Sequence, residues 1–222
     1  MRFVALAAVV LAGVAGTASP AGSDPRATAE PGFEFETKRI TGNVRKKITG
    51  SSWREGCPVA RRDLRLIRAT HWDFRRDVEW GALIVHKREK REMVRALRKL
   101  FKRHFPIRRM NLIDKYGADD HRSMNADNTS AFNCRFVAGT TRWSEHAYGR
   151  AIDINPIENP YVTPSGHVSP PAGQPYADRS RDAKGMIHHG DRAWDAFRDV
   201  GWRWGGDWSG TKDYQHFSST GR

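Results

Sequence analysis

Two apolar runs and the helix that follows them set the frame of this chain. "LRLIRATHWDF" (Leu64–Phe74) and "VEWGALIVH" (Val78–His86) are rich in β-branched and aromatic residues, and only the charged "RRD" separates them. That pattern predicts a β-hairpin. Lys87 to His104 then predicts a helix, with Met93, Leu97, Leu100 and Phe101 on one face and Arg88, Arg91, Arg95, Arg98 and Lys102 on the other. The basic stripe reads either as a solvated helix face or as a polyanion-binding surface. Pro106 ends the helix, and "RRMNLID" predicts a further short strand. Strands and helices do not alternate regularly. The expected fold is therefore α+β, a single domain with a central antiparallel sheet flanked by helices.

The 222 residues suit one domain with a real core. The N-terminus "MRFVALAAVVLAGVAGTASPAG" has one arginine, an apolar run too short for a membrane span, and then small residues. It reads as a signal peptide over 1–22, which leaves no transmembrane anchor after cleavage. Residues 23–50 are rich in Pro, Gly, Thr and charge and are expected to form a linker or flexible arm, with the folded domain over 51–222. In an exported protein the only two cysteines, Cys57 and Cys134, are expected to pair, against the alternative of two unconnected thiols. The net charge of +13 favours an anionic partner, and its sign alone does not choose among wall polymers, lipid headgroups and nucleic acid.

The C-terminal half carries the chemistry. A long polar stretch, Asp114 to Trp143, is of the length that usually signals function. After it comes "SEHAYGRAIDIN" (Ser144–Asn155), with His146 seven residues before Asp153, and the later "TKDYQHFS" places Asp213 three residues before His216. "GRAIDIN" and "DYQHFS" read as strands, Pro156–Gly173 as loop, and Gly190–Gly201 as a short helix. A catalytic zinc takes three nitrogen or oxygen ligands and leaves one position open, and His146, Asp153 and His216 offer such a set. Residues three apart in a regular strand face opposite ways, so Asp213 joins them only if it precedes the regular strand. His188 and His189 have no acidic partner at matching spacing and read as loop residues. Trp208, beside glycines, is a candidate for lining a substrate groove.

"SEHAYGRAIDI" and "DYQHF" together resemble the two motifs of the VanX/VanY-like zinc D-Ala-D-Ala peptidases, which share their fold with the hedgehog signalling domain. The resemblance runs from about Ser123 to Phe217. It implies a hedgehog/DD-peptidase-like fold, Zn2+ held by His146, Asp153 and His216, and Asp213 as the general acid/base. It also implies an arginine on the scissile carbonyl, for which "SAFNCR" offers Arg135. Ser144 falls on the motif serine, as a ligand-binding group or as one that shapes the loop.

The expected function is that of an exported zinc metallopeptidase of the D-Ala-D-Ala carboxypeptidase type. It would act on peptidoglycan stem peptides as a monomer, secreted or associated with a bacterial cell wall. Anionic wall polymers are a second expected partner, and nucleic acid is not expected. The alternatives are a metal-containing wall-binding module without chemistry and a non-haem iron oxygenase, since two histidines and a carboxylate also make an iron site.

Overall fold

The computed structural model describes Met1, Phe3 and residues 31–222. Apart from Met1 and Phe3, the expected signal peptide lies outside the described residues, as does the first part of the arm, 23–30. The remainder of the arm is ordered, which corrects the expected boundary at residue 50. It forms strand β1 (Phe35–Arg39) and helix α1 (Gly42–Ile48). Ile40, Val44 and Ile48 lie four residues apart and put one side of this segment into the core, a pattern too short to show against its charged surroundings.

The expected hairpin is present as β2 (Leu64–Trp72) and β3 (Val78–His86), antiparallel in register from Leu64↔His86 to Trp72↔Val78. The turn between them is tied by Asp73, whose Oδ1 accepts from the backbone N–H groups of Arg75 and Asp77 at 2.7 and 2.8 Å. β1 pairs with β2 on the outer side, giving the order β1-β2-β3. Successive side chains of a strand point to opposite faces. Ile67, Ala69, Leu83 and Val85 enter one apolar cluster, while Leu64, Leu66 and Ile84 enter a second. Both faces are therefore covered, which explains the unbroken "ALIV" run.

Helix α2 (Lys90–Lys102) covers the first face with Met93, Ala96, Leu97 and Leu100, leaving Arg91, Arg95 and Arg98 exposed. The second face is covered by α1 and by Cys134, which is disulfide-bonded to Cys57 across 77 residues of chain. The expected strand at "RRMNLID" is not formed. The segment makes single bridges, Trp72↔Pro106 before it and Met110↔Thr129 within it, and then enters a 3-10 turn at Ile113–Tyr116. The side-chain amide of Asn128 takes both backbone groups of Asn111, occupying the positions a neighbouring strand would fill.

The second half of the chain has α3 (Asp120–Asn125), β4 (Ala151–Asp153), β5 (Tyr161–Val162), β6 (Val168–Ser169), α4 (Arg192–Arg198), β7 (Arg203–Trp204), β8 (Lys212–Asp213) and β9 (His216–Ser218). These strands form two small antiparallel sheets, β4-β9-β7 and β6-β5-β8. The fold is α+β and antiparallel as expected, but its sheet is divided into three rather than being single and central. No helix among the described residues is long and apolar enough to cross a membrane.

Candidate metal centre

Three elements bring the site together. β4 and β9 pair so that Asp153 stands directly opposite His216. Opposed residues in an antiparallel pair project to the same face, so a separation of 63 residues in sequence becomes a direct contact. His146 comes from a 3-10 turn, Glu145–Tyr148, that ends at Gly149 in the left-handed region. That glycine is required twice over. Its φ is +67°, and a Cβ there would lie 2.5 Å from the backbone nitrogen of His86 on β3. Ser144 opens the turn, its Oγ accepting from the His146 N–H at 3.3 Å. Of the two roles open to Ser144, the contacts describe the one that shapes the loop.

The three side chains converge. His146 Nε2 lies 3.1 Å from Asp153 Oδ2, His216 Nδ1 lies 3.0 Å from Asp153 Oδ1, and the two ring nitrogens are 3.2 Å apart. All three residues are buried, and their ligand atoms lie within 4.8 Å of one another. The tautomers follow from the partners on the far side of each ring. His146 Nδ1 faces the backbone carbonyl of Ala131, and His216 Nε2 faces the backbone oxygen of Arg222 at 2.9 Å. Each of those nitrogens therefore carries the N–H, and the opposite nitrogens present lone pairs to the cluster. Two such lone pairs and a carboxylate within hydrogen-bond distance need a cation or a proton among them. Nitrogen and oxygen donors oriented from behind by carbonyls suit a divalent transition metal such as zinc.

The protonation equilibria show the same demand for positive charge. Burial works against ionised Asp153, yet the two imidazoles outweigh it and hold the carboxyl well below the usual range. Burial likewise opposes a charged His216, and the Asp153 carboxylate overrides it, raising the imidazole to about 9.

Asp213 is placed by a break in the strand. β8 ends with it, Tyr214 and Gln215 turn, and β9 begins at His216, so the alternation of a single strand does not apply. The turn is held by Trp204, whose Nε1–H donates to the Tyr214 carbonyl at 2.7 Å. Gly205 permits the approach, since a Cβ there would lie 2.5 Å from the Asp213 carbonyl oxygen. The Asp213 carboxylate is raised to about 6, first by burial, with the charge on His216 opposing and that on Asp153 reinforcing the shift. Its Oδ1 is buried and meets no hydrogen-bond donor.

Arg135 also acts on Asp213 electrostatically. Its Nη2 is 2.8 Å from Asp120 Oδ2 at the start of α3, and its Nε is buried without an acceptor. Nothing local in the sequence marked Asp120 as the partner of Arg135. Trp208 follows the Gly205–Asp207 turn, and its ring centroid is 5.5 Å from that of His216. The pair His188–His189 separates. His189 does have an acidic partner, Asp207, at 2.7 Å, which corrects its reading as an unpartnered loop histidine.

Residues 138–219 match the model of a family described as D-alanyl-D-alanine carboxypeptidase. The resemblance read from the two motifs holds over this stretch. It takes in His146, Asp153, Asp213 and His216 and begins just after Arg135. No curated protein matches the chain. No solved structure matches it. The matched family is one of peptidases, and the buried His146–Asp153–His216 group is able to hold a metal ion.

Proposed function

We propose that the chain is an exported zinc peptidase that hydrolyses peptidoglycan stem peptides in the manner of a D-Ala-D-Ala carboxypeptidase. One observation carries the reading: Asp213, half-buried and with its Oδ1 fully buried and without a hydrogen-bond donor, stands in the electrostatic field of a three-donor His–Asp–His cluster. A structural metal site has no use for such a group, so a wall-binding module without chemistry leaves Asp213 unexplained. The oxygenase alternative gains no support from a match to a peptidase family.

His146, Asp153 and His216 would hold the ion. Zinc bound there supplies Lewis acidity, lowering the pKa of water and polarising a carbonyl oxygen. Asp213 accepts a proton from the attacking water at its free Oδ1 and returns it to the nitrogen of the departing amine as the C–N bond breaks. Burial raises the Asp213 carboxyl above its ordinary value, the direction that favours its handing the proton on after accepting it. Arg135, held by Asp120, offers its guanidinium to the carbonyl oxygen as negative charge develops there. The Cys57–Cys134 bond anchors the residue next to Arg135 and fits an oxidising compartment outside the cell. The exposed arginines of α2 would favour retention near anionic wall polymers.

Asp213→Asn keeps shape and loses the base. Zinc content should be retained while turnover falls roughly 10²–10⁴-fold. His216→Ala should lose zinc and activity together. Full activity in the Asn variant contradicts the mechanism, and zinc loss in it makes Asp213 a ligand instead. Mass spectrometry of products from defined stem peptides identifies the bond cut.

A further inference from the structure

The ring of His216 is held from behind, and what holds it is the segment that leaves β9. His216 and Ser218 stand two residues apart on that strand, so their side chains project to the same face. Asp153 and Ala151 stand opposite them on β4. Beyond Ser218 the chain turns back. The Ser219 N–H donates to the Arg150 carbonyl at 3.0 Å, and Gly221 takes a φ of +81°, where a Cβ would also lie 2.8 Å from Arg203 Cδ. The turn brings the Arg222 backbone oxygen to within 2.9 Å of His216 Nε2.

The Ser218 hydroxyl spends its whole hydrogen-bonding capacity on this turn. Its O–H donates to the Arg222 oxygen at 2.8 Å, and its Oγ accepts from the N–H groups of Gly221 and Arg222, each at 3.0 Å. One donor and two lone pairs are all that a hydroxyl has. Ser218 is 0% exposed, so water does not reach in to replace it. Trp208 ties the same turn from the other side. Its Nε1–H donates to the Gly221 carbonyl at 2.9 Å, and its ring centroid is 5.5 Å from that of His216. A serine that ties a turn is ordinary by itself. Here the oxygen it fixes is also the one that accepts from the imidazole, so His216 and Ser218 share the two lone pairs of Arg222 O.

We infer that Ser218 is a positioning residue of the metal centre: through the Arg222 oxygen it keeps the His216 proton on Nε2 and leaves Nδ1 free to ligate. The inference rests on the zinc reading above. A neutral imidazole carries its proton on either nitrogen, and with the proton on Nδ1 it would point an N–H at the cation. An acceptor fixed behind the ring removes that choice and sets the rotation of the ring. His146 has its own acceptor, the Ala131 carbonyl, on another part of the chain. It therefore serves as an internal reference.

The test compares the zinc affinity of the full chain, Ser218→Ala and Gly221→Ala by competition with a chelator of known strength. Nitrogen-15 NMR of the zinc-loaded proteins follows the exchange of the two ring N–H protons with water. Ser218→Ala should bind zinc about 10–100-fold more weakly, with the His216 Nε2–H exchanging faster and the His146 Nδ1–H unchanged. Gly221→Ala should move both quantities in the same directions by less. That glycine is half-buried and belongs to neither apolar cluster, so its variant keeps the test readable if Ser218→Ala does not fold. Equal zinc affinity in the parent and the variants overturns the inference whatever their melting temperatures, because a turn that only stabilises the fold leaves affinity alone. Equal acceleration of the His146 proton overturns it too, since the whole centre has then loosened. A parent that binds no zinc contradicts the metal reading and takes this inference with it. A parent that binds zinc no more tightly than its variants contradicts this inference alone.

Discussion

The β1-β2-β3 sheet and the β4-β9-β7 sheet are both antiparallel and three-stranded, yet different forces hold them. In the first, β2 and β3 run nine residues each, and leucine, isoleucine and valine cover both faces. In the second, the strands are two or three residues long, and the segment that follows β4 is held by two fully buried amides, Asn155 and Asn159. Asn155 donates to the Pro106 and Gly185 carbonyls, and its Oδ1 accepts from the Arg108 N–H. Asn159 donates to the Ile154 and Gly185 carbonyls, and its Oδ1 accepts from the Ile187 N–H. Apolar packing tolerates small shifts, whereas a hydrogen bond lost in the interior leaves a charged or dipolar group stranded. The His146–Asp153–His216 group therefore sits where geometry is specified residue by residue.

The largest effect that tests this contrast comes from the disulfide, which ties the apolar scaffold to the loop carrying Arg135. Cys57→Ser with Cys134→Ser should lower stability by about 4 kcal/mol on the loop-entropy estimate for 77 residues. Hydrogen exchange should show the 131–144 segment loosening before β2 and β3. Uniform loosening would mean that the two regions are one cooperative unit.

Asn159→Ala comes next. It removes three donated contacts, to the Ile154, Asn155 and Gly185 carbonyls, and an oxygen that accepts from Ile187 N–H and Arg179 Nη2, a loss of about 2–3 kcal/mol. The loosening should concentrate at residues 154–187, with the first sheet unchanged by hydrogen exchange. Protection lost equally in β2 would erase the distinction drawn here.

The smallest effect lies in a buried acid pair of the same polar region. Arg108 bridges Asp127 and Glu158 at 3.0 and 2.7 Å, while Glu158 Oε2 has no donor. Burial and then the neighbouring Asp127 carboxylate raise Glu158 to about 7, with Arg108 offsetting part of the shift. The folded chain then holds a proton that the unfolded chain releases near 4.5. Stability should fall as pH rises from 4.5 to 7 and level off above, by on the order of 1–3 kcal/mol. Glu158→Gln should flatten that slope. An unchanged slope in the variant assigns it to another group.

The same contrast explains what the sequence made legible. The hairpin follows from two β-rich apolar runs around a short charged turn, and α2 and α4 follow from apolar residues repeating with the helical period of 3.6. The grouping of His146, Asp153 and His216, with Asp213 close enough to feel their charges, was legible from two motifs, each local to one turn and one strand. Asp120 as the holder of Arg135, Asp207 as the partner of His189, and the Asn128 amide in place of a strand were not. Each is a single long-range polar contact, set by tertiary structure and leaving no period behind. α1 and β1 were missed for a different reason, since three apolar residues among lysines and arginines look like an arm until Cys134 and β2 are placed beneath them.

The central claim is that His146, Asp153 and His216 hold one catalytic zinc ion. Metal-stripped protein titrated with Zn2+ should regain stem-peptide hydrolysis linearly and saturate at one equivalent, with the His146 and His216 ring resonances shifting over the same range. Hydrolysis by the stripped protein, or zinc uptake that leaves both imidazoles unmoved, contradicts it.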